Sequence, residues 1–210
     1  MPETKSPDKS YAQHREEMKK LQAEQRKKAA AANIRRGIVV VLTGDGKGKS
    51  TSAFGTILRA IGHGQKVGLV QFIKGTWKTG EREMFKQLPG LDHVVSGEGF
   101  TWNTQDRAKD IASVRQGWEA GVAMIEAARR DPERYRLIVF DELNIALGHG
   151  YLPAAEVAQV LAGKPHKLSI IVTGRGAPPE LIEVADTVSE VVSVKHAFEA
   201  RISAQKGVDF

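Results

Sequence analysis

The chain has 210 residues, 41% hydrophobic and 27% charged, with a formal net charge of +6, a length that fits one domain with a single large core. No apolar run approaches the roughly 18 residues that a membrane-spanning helix needs, and zero Cys exclude a disulfide framework or a thiolate metal site. The opening MPETKSPDKS lacks the apolar centre of a secretory signal, so the expected location is cytoplasmic, with no membrane partner.

Residues 1–9 carry two Pro and no apolar cluster and read as a disordered start. From Ser10 to about Ala32, Ala, Lys, Gln, Glu and Arg dominate, with Tyr11, Met18 and Leu21 as a sparse apolar stripe, which predicts a basic helix. Residues 1–36 hold ten Lys/Arg against five Asp/Glu, leaving the remaining chain at +1, so the basicity belongs to the tail. No aromatics are interleaved for base stacking, and a solvated helix is favoured over a nucleic-acid arm. An extension over 1–33 and a domain over 34–210 are therefore expected.

Strand signals follow near 37–43, 67–73, 92–95, 136–141, 168–173 and 188–194, separated by helical stretches near 49–62, 80–88, 105–130, 153–162 and 178–185. Runs such as Ile38-Val39-Val40-Val41-Leu42 and Leu137-Ile138-Val139-Phe140 are apolar throughout, as in parallel strands covered by helices on both faces. The expected fold is α/β: a mostly parallel sheet of the P-loop, RecA-like kind, with an N-terminal helical extension.

In TGDGKGKST, Gly48-Lys49-Ser50 matches the GK[ST] end of a P-loop, where backbone N–H groups and a helix N-terminus surround phosphate oxygens. Lys49 would supply a cation to the phosphates and Ser50 a hydroxyl to Mg²⁺. Counting back from Gly48, the first position of the usual pattern is Thr43 instead of Gly, so Gly44, Gly46 and Gly48 form an unusually spaced loop. A Gly-rich turn that binds nothing is the plainer alternative. Strand, loop and a helix opening on Lys, Ser, Thr and Ser together favour nucleotide phosphate.

Three other segments bear on the site. RLIVFDELNIAL ends an apolar strand on Asp141-Glu142, where the metal-binding acid of a P-loop protein belongs, although an acidic pair at a helix N-terminus would look the same. IIVTGRGAPPE carries Arg175 at a Gly-flanked tip on the same sheet edge, either a triphosphate contact or a surface charge. In GEGFTWNTQDR, Phe100 and Trp102 stand outside any alternating pattern; they cap the core or offer a face to a large flat ligand. The six His form no metal-spaced pair and no nucleophilic triad is suggested; His196 reads as structural.

The segments GDGKGKST, FGTILRAIGHGQKVGLVQFIKGTW, GEGFTW, FDELNIAL, VTGRG, ADTVSEV, VKHAF and ARISAQKGVDF occur here in one order. Together they resemble the ATP:corrinoid adenosyltransferase family of the BtuR, CobO and CobP type, from about residue 34 to the C-terminus. The resemblance implies transfer of the 5′-deoxyadenosyl group of ATP to the Co(I) of a reduced corrinoid, with triphosphate as the other product. It implies that Thr43, Gly44, Asp45, Gly46, Lys47, Gly48, Lys49, Ser50 and Thr51 wrap the triphosphate with Arg175 nearby. Ser50 and Glu142 would hold Mg²⁺, and Phe100 and Trp102 would block the lower axial face of the corrinoid. The family often has Thr at the Ser50 position and Asn at the Asp45 position. A separate flavin-type reductase and a homodimer are further implications. Rival readings are a P-loop ATPase or kinase that transfers the γ-phosphoryl group, with Asp141 or Glu142 activating the acceptor, and an ATP-gated nucleic-acid module.

Overall fold

A computed structural model describes residues 11–72, 79–96 and 106–209, and the chain divides into two compact units, residues 1–35 and 36–210. The first unit is built on α1 (Tyr11–Ala31), a helix of 21 residues in which Lys19 reaches back one turn to Glu16.

The second unit alternates strand and helix: β1 (Val39–Thr43), α2 (Lys49–Gly62), β2 (Val67–Phe72), α3 (Gly80–Phe85), β3 (Leu91–Ser96), α4 (Arg107–Arg130), β4 (Leu137–Asp141), α5 (Leu143–Gly148), α6 (Ala154–Ala162), β5 (Ser169–Thr173), α7 (Pro179–Val184) and β6 (Thr187–Glu190), then a 3₁₀ turn at Ala197–Ala200. The strands form one six-stranded sheet in the order β3-β2-β4-β5-β1-β6, and every neighbouring pair is parallel. Among the described residues no helix is long and apolar enough to cross a membrane.

Alternation along each strand supplies both faces. Val39, Val41, Val70, Phe72, Ile138, Phe140, Ile170 and Val172 point to one face, where Trp118 and Ile125 of α4, Leu143 of α5, Leu161 of α6 and Leu181 of α7 cover them. The intervening Leu42, Val67, Leu69, Leu137, Val139 and Ile171 meet Ala53, Phe54 and Ile57 of α2 and Phe85 of α3 on the other. The strand signature is thus a run of apolar residues instead of an alternation, because neither face meets water.

Four elements differ from expectation. α3 stops at Phe85 instead of 88, and β6 stops at Glu190 instead of 194. Beyond Glu190 the chain bends toward the loop after β1: the Val191 N–H donates to the Thr43 carbonyl, and the Val191 carbonyl accepts from the Gly46 N–H. The short α5 and the 3₁₀ turn were not expected. α5 starts directly after Glu142 and is only six residues long, too short to show a helical period in the sequence, and its Leu143, Ala146 and Leu147 are buried. A left-handed residue, Glu142 at φ 63°, makes the break.

Two helix glycines test this packing in opposite directions. A Cβ on Gly121 in α4 would stand 2.2 Å from Cε1 of Phe140, whereas one on Gly55 in α2 meets nothing within 4 Å. Gly121→Ala should cost about 1–3 kcal/mol by overpacking, and Gly55→Ala should add up to about 1 kcal/mol by helix propensity. Urea unfolding midpoints measure both; equal shifts of one sign would contradict the assigned faces.

Candidate functional site

In a parallel sheet all strand C-termini lie on one edge. The chain leaves β1 through α2 on one face and β5 through α7 on the other, and the crevice between such departures is where open α/β sheets take ligands. A cavity of about 1090 Å³ opens there. Its floor is the loop Asp45–Thr51. One wall carries Glu142, Ile145 and His149 with Arg175, another Thr79, Glu81 and Arg82, and a third Phe198, Ile202, Val208 and Asp209 from the segment after β6.

The glycine spacing has a structural cause. A Cβ on Gly44 would lie 2.5 Å from the Val191 carbonyl oxygen, and one on Gly46 would lie 2.7 Å from that of Val192. Both contacts are with backbone, which cannot swing aside, so these glycines are demanded by the segment leaving β6. Gly48 has open space around it but caps α2 at φ 116°, a left-handed conformation that glycine adopts without strain. Two glycines serve close approach and the third serves the turn into the helix, and the resulting period departs from the usual pattern.

Lys49 is buried, and its Nζ donates to the carbonyls of Gly44 at 2.6 Å and Gly46 at 2.7 Å. Burial holds its pKa below the usual lysine range, and Arg175 pushes the same way, against Glu142 and Asp45. An ammonium on two carbonyls near a carboxylate is placed to exchange those partners for phosphate oxygens. Thr43 closes the loop from the other side, its hydroxyl accepting from the Ala177 N–H at 3.0 Å. Lys47 pairs with Asp209 at 2.6 Å and Arg175 with Asp45 at 3.6 Å, both at the exposed rim.

The two acids divide. Asp141 is fully buried: its Oδ1 accepts from the Thr173 hydroxyl at 2.8 Å and its Oδ2 from Gln71 Nε2 at 2.9 Å. Glu142 alone lines the cavity, its N–H donating to Thr173 Oγ1 at 3.0 Å. Behind Asp141, His93 Nε2 lies 2.9 Å from Gln71 Oε1. A carboxylate only accepts, so the Gln71 nitrogen faces Asp141, its oxygen faces His93, and the proton of the neutral imidazole sits on Nε2.

The structure thus gathers Asp45 through Thr51, Glu142 and Arg175 around one cavity, with Thr43 and Gly44 just before its floor in the chain. Phe100 and Trp102 lie outside the described residues. Their downstream neighbour Arg107 donates from Nη2 to the His149 carbonyl at 3.3 Å, with its guanidinium 5.6 Å from the Tyr151 ring centre, so α4 begins beside a cavity residue. His196 caps the 3₁₀ turn, its Nδ1 accepting from the Phe198 N–H at 3.1 Å, and also lines the cavity. Sequence reasoning did not reach Arg82, the wall after β6, or the Gln71–His93 pair. Gln71, the one polar residue in VGLVQF, was the available signal for the last.

Comparison with known proteins adds the following. The family model described as ATP:corrinoid adenosyltransferase BtuR/CobO/CobP matches residues 35–210. A corrinoid adenosyltransferase of Pseudomonas aeruginosa is 50% identical over 206 residues, covering 98% of this chain and 98% of that protein. The corrinoid adenosyltransferase of Escherichia coli K12 is 45% identical over 204 residues, with 97% and 99% covered. Corrinoid adenosyltransferase CobA of Salmonella typhimurium is 45% identical over 183 residues, with 87% and 90% covered.

His93 gives the site a pH dependence. Burial, with Arg82 and Lys86 nearby, pulls its pKa down to about 4, while Asp141 opposes this. Between that value and its ordinary one the unfolded chain binds a proton that the folded chain does not, so stability is lost as pH falls through this window. Denaturant midpoints from pH 7 to pH 4 should decline, and His93→Gln, which keeps a donor without a titrating ring, should flatten the decline relative to the parent. An unchanged slope would contradict the buried neutral imidazole.

Proposed function

The chain belongs to the ATP:corrinoid adenosyltransferase family, and from that premise we propose that it transfers the 5′-deoxyadenosyl group of ATP to the cobalt of a corrinoid presented as Co(I). The cobalt electron pair forms the bond to C5′, the C5′–O bond breaks, and its electrons leave on the oxygen of triphosphate. The observation that carries this reading is Lys49, buried at the start of α2 and bonded to the Gly44 and Gly46 carbonyls, with Ser50 and Glu142 lining the same cavity.

The chemistry divides between substrate and protein. The nucleophile arrives with the corrinoid, so the chain needs no activated side chain of its own; it needs to hold the triphosphate and accept the charge that grows on it. Lys49 and the N–H groups opening α2 fill that role, with Arg175 at the rim.

Ser50 and Glu142 are the proposed Mg²⁺ ligands. A hydroxyl and a carboxylate are the hard oxygen donors this cation prefers, and Glu142 acts on Lys49 electrostatically, as a neighbour in the same site does. Among the described residues no group of three or more His, Cys, Asp or Glu could form a protein cage, which suits a cation that takes its remaining ligands from phosphate and water. When bound, it would neutralise part of the phosphate charge.

Phe100 and Trp102 are proposed to occupy the lower axial face of the corrinoid, a role supported by the family match over their segment and by the anchoring of α4 beside the cavity. With that face blocked, Co(II) loses a ligand and is easier to reduce. A separate reductase supplies the electron, and the working unit is a homodimer.

With ATP, Mg²⁺ and chemically reduced cobalamin, the protein should give a light-sensitive alkyl-cobalt product and one triphosphate per turnover; ADP with phosphate would overturn the reading in favour of γ-phosphoryl transfer. Lys49→Ala should lower the rate by about 100-fold or more. Phe100→Ala and Trp102→Ala should lose more activity with a Co(II) corrinoid and a reductase than with pre-reduced Co(I). Equal losses would remove the face-blocking role.

A further inference from the structure

A chain of hydrogen bonds, buried at its centre and partly buried at its ends, runs across four adjacent strands. It starts at His93 on β3, passes through Gln71 on β2 to Asp141 on β4, and continues through Thr173 on β5 to the Glu142 N–H. Every member has its donor and acceptor roles fixed by its neighbour. Gln71 and Asp141 are direct partners in the β2–β4 register, and Gln71 is 2% exposed and Asp141 0%. Glu142, at the far end, is a non-glycine residue at φ 63° and ψ 19°, a conformation that persists only where its surroundings over-determine it.

From this geometry we propose that Gln71 is a positioning residue for the nucleotide's metal ion: by holding Asp141, and through it Thr173 and the Glu142 backbone, it aims the Glu142 carboxylate into the cavity. Gln71 touches neither metal nor nucleotide in this role. Each oxygen of Asp141 already accepts a hydrogen bond from its supports, so Asp141 serves as the rigid base of the turn, and the acid that faces the ligand is its neighbour. The Asp141 carboxylate sets the orientation of the Gln71 amide, and His93, donating to the amide oxygen, supports it. Removing the Gln71 donor takes a hydrogen bond away from a buried carboxylate oxygen, and the turn that carries Glu142 is free to shift.

The proposal rests on the adenosyltransferase reading only in taking MgATP as the ligand. ATP binding to the full-length protein is measured by calorimetry with Mg²⁺ and again with excess EDTA, for the parent, Gln71→Leu, Gln71→Glu and the double variant Gln71→Glu with Asp141→Asn. The double variant restores every bond with one donor–acceptor pair reversed. Its amide at position 141 donates to the carboxylate at position 71, which still accepts from His93, and the oxygen of that amide still accepts from Thr173. Gln71→Leu and Gln71→Glu should weaken MgATP binding by about tenfold or more while changing metal-free ATP binding little. The double variant should recover most of the Mg²⁺-dependent affinity.

Parental MgATP affinity in Gln71→Leu, or equal losses with and without Mg²⁺, would overturn the proposal. If either single variant fails to fold by circular dichroism, the double variant decides: recovery of fold and Mg²⁺-dependent affinity supports the relay, and failure to recover either overturns it. Alkyl-cobalt formation by the parent tests the adenosyltransferase reading separately, so the two can fail independently.

Discussion

The site depends on one backbone-to-backbone contact, that between the loop after β1 and the segment leaving β6. The Val191 N–H bonds to the Thr43 carbonyl and the Gly46 N–H to the Val191 carbonyl, which extends the β1–β6 pairing one step into the phosphate loop. Side chains at 44 and 46 would collide with this strand of backbone. The loop is therefore shaped by the sheet edge beside it, and Lys49 completes the shape by folding onto its carbonyls. A loop preformed in this way does not need to be ordered by its ligand, and the entropy that ordering would consume is spent in folding.

What was legible in the sequence follows from the range of the interactions involved. Strands such as β4 and the helix α2 declared themselves because burial on both faces and a Gly-Lys-Ser helix start are local patterns. The acidic pair was legible as a pair, but not its division of labour: which of Asp141 and Glu142 faces the cavity is set by Gln71, 70 residues away, and Thr173, some 30 residues away. The apolar wall of Phe198, Ile202 and Val208 was equally hidden, since its residues lie in a stretch with neither strand nor helix period and meet the loop only after β6 has joined the far edge of the sheet. Thr43 in place of the usual first glycine was visible from the start, but its reason was not. Its hydroxyl ties the loop to Ala177 after β5, a link across 134 residues.

The charges around the cavity differ in what they can contribute. Lys47 and Arg175 are paired with Asp209 and Asp45 at side-chain exposures of 60% and 66%. Exposed pairs of this kind contribute about 0–1 kcal/mol, so in the proposed reading an arriving triphosphate would replace the carboxylates at little cost. Lys49 stands in the opposite position. It is buried and already bonded to two carbonyls, so its charge is poorly screened, and a phosphate that reaches it meets an ammonium with little hydration left to lose.

That contrast bears on where the reaction gains its selectivity for C5′. If rim cations dominated phosphate binding, the triphosphate could slide along the loop with its charges satisfied in several registers. In the proposed reading, a single buried cation flanked by the fixed N–H groups of α2 would favour one register over the rest, because only one arrangement of phosphate oxygens meets both, while the Glu142 carboxylate would engage them only through a shared cation. The ribose then leaves the cradle at a fixed point. The same cavity is walled by Phe54, Ile145 and Phe198 as well as by charges, a mixed surface that suits a broad macrocycle with a polar rim more than a phosphoryl acceptor in water.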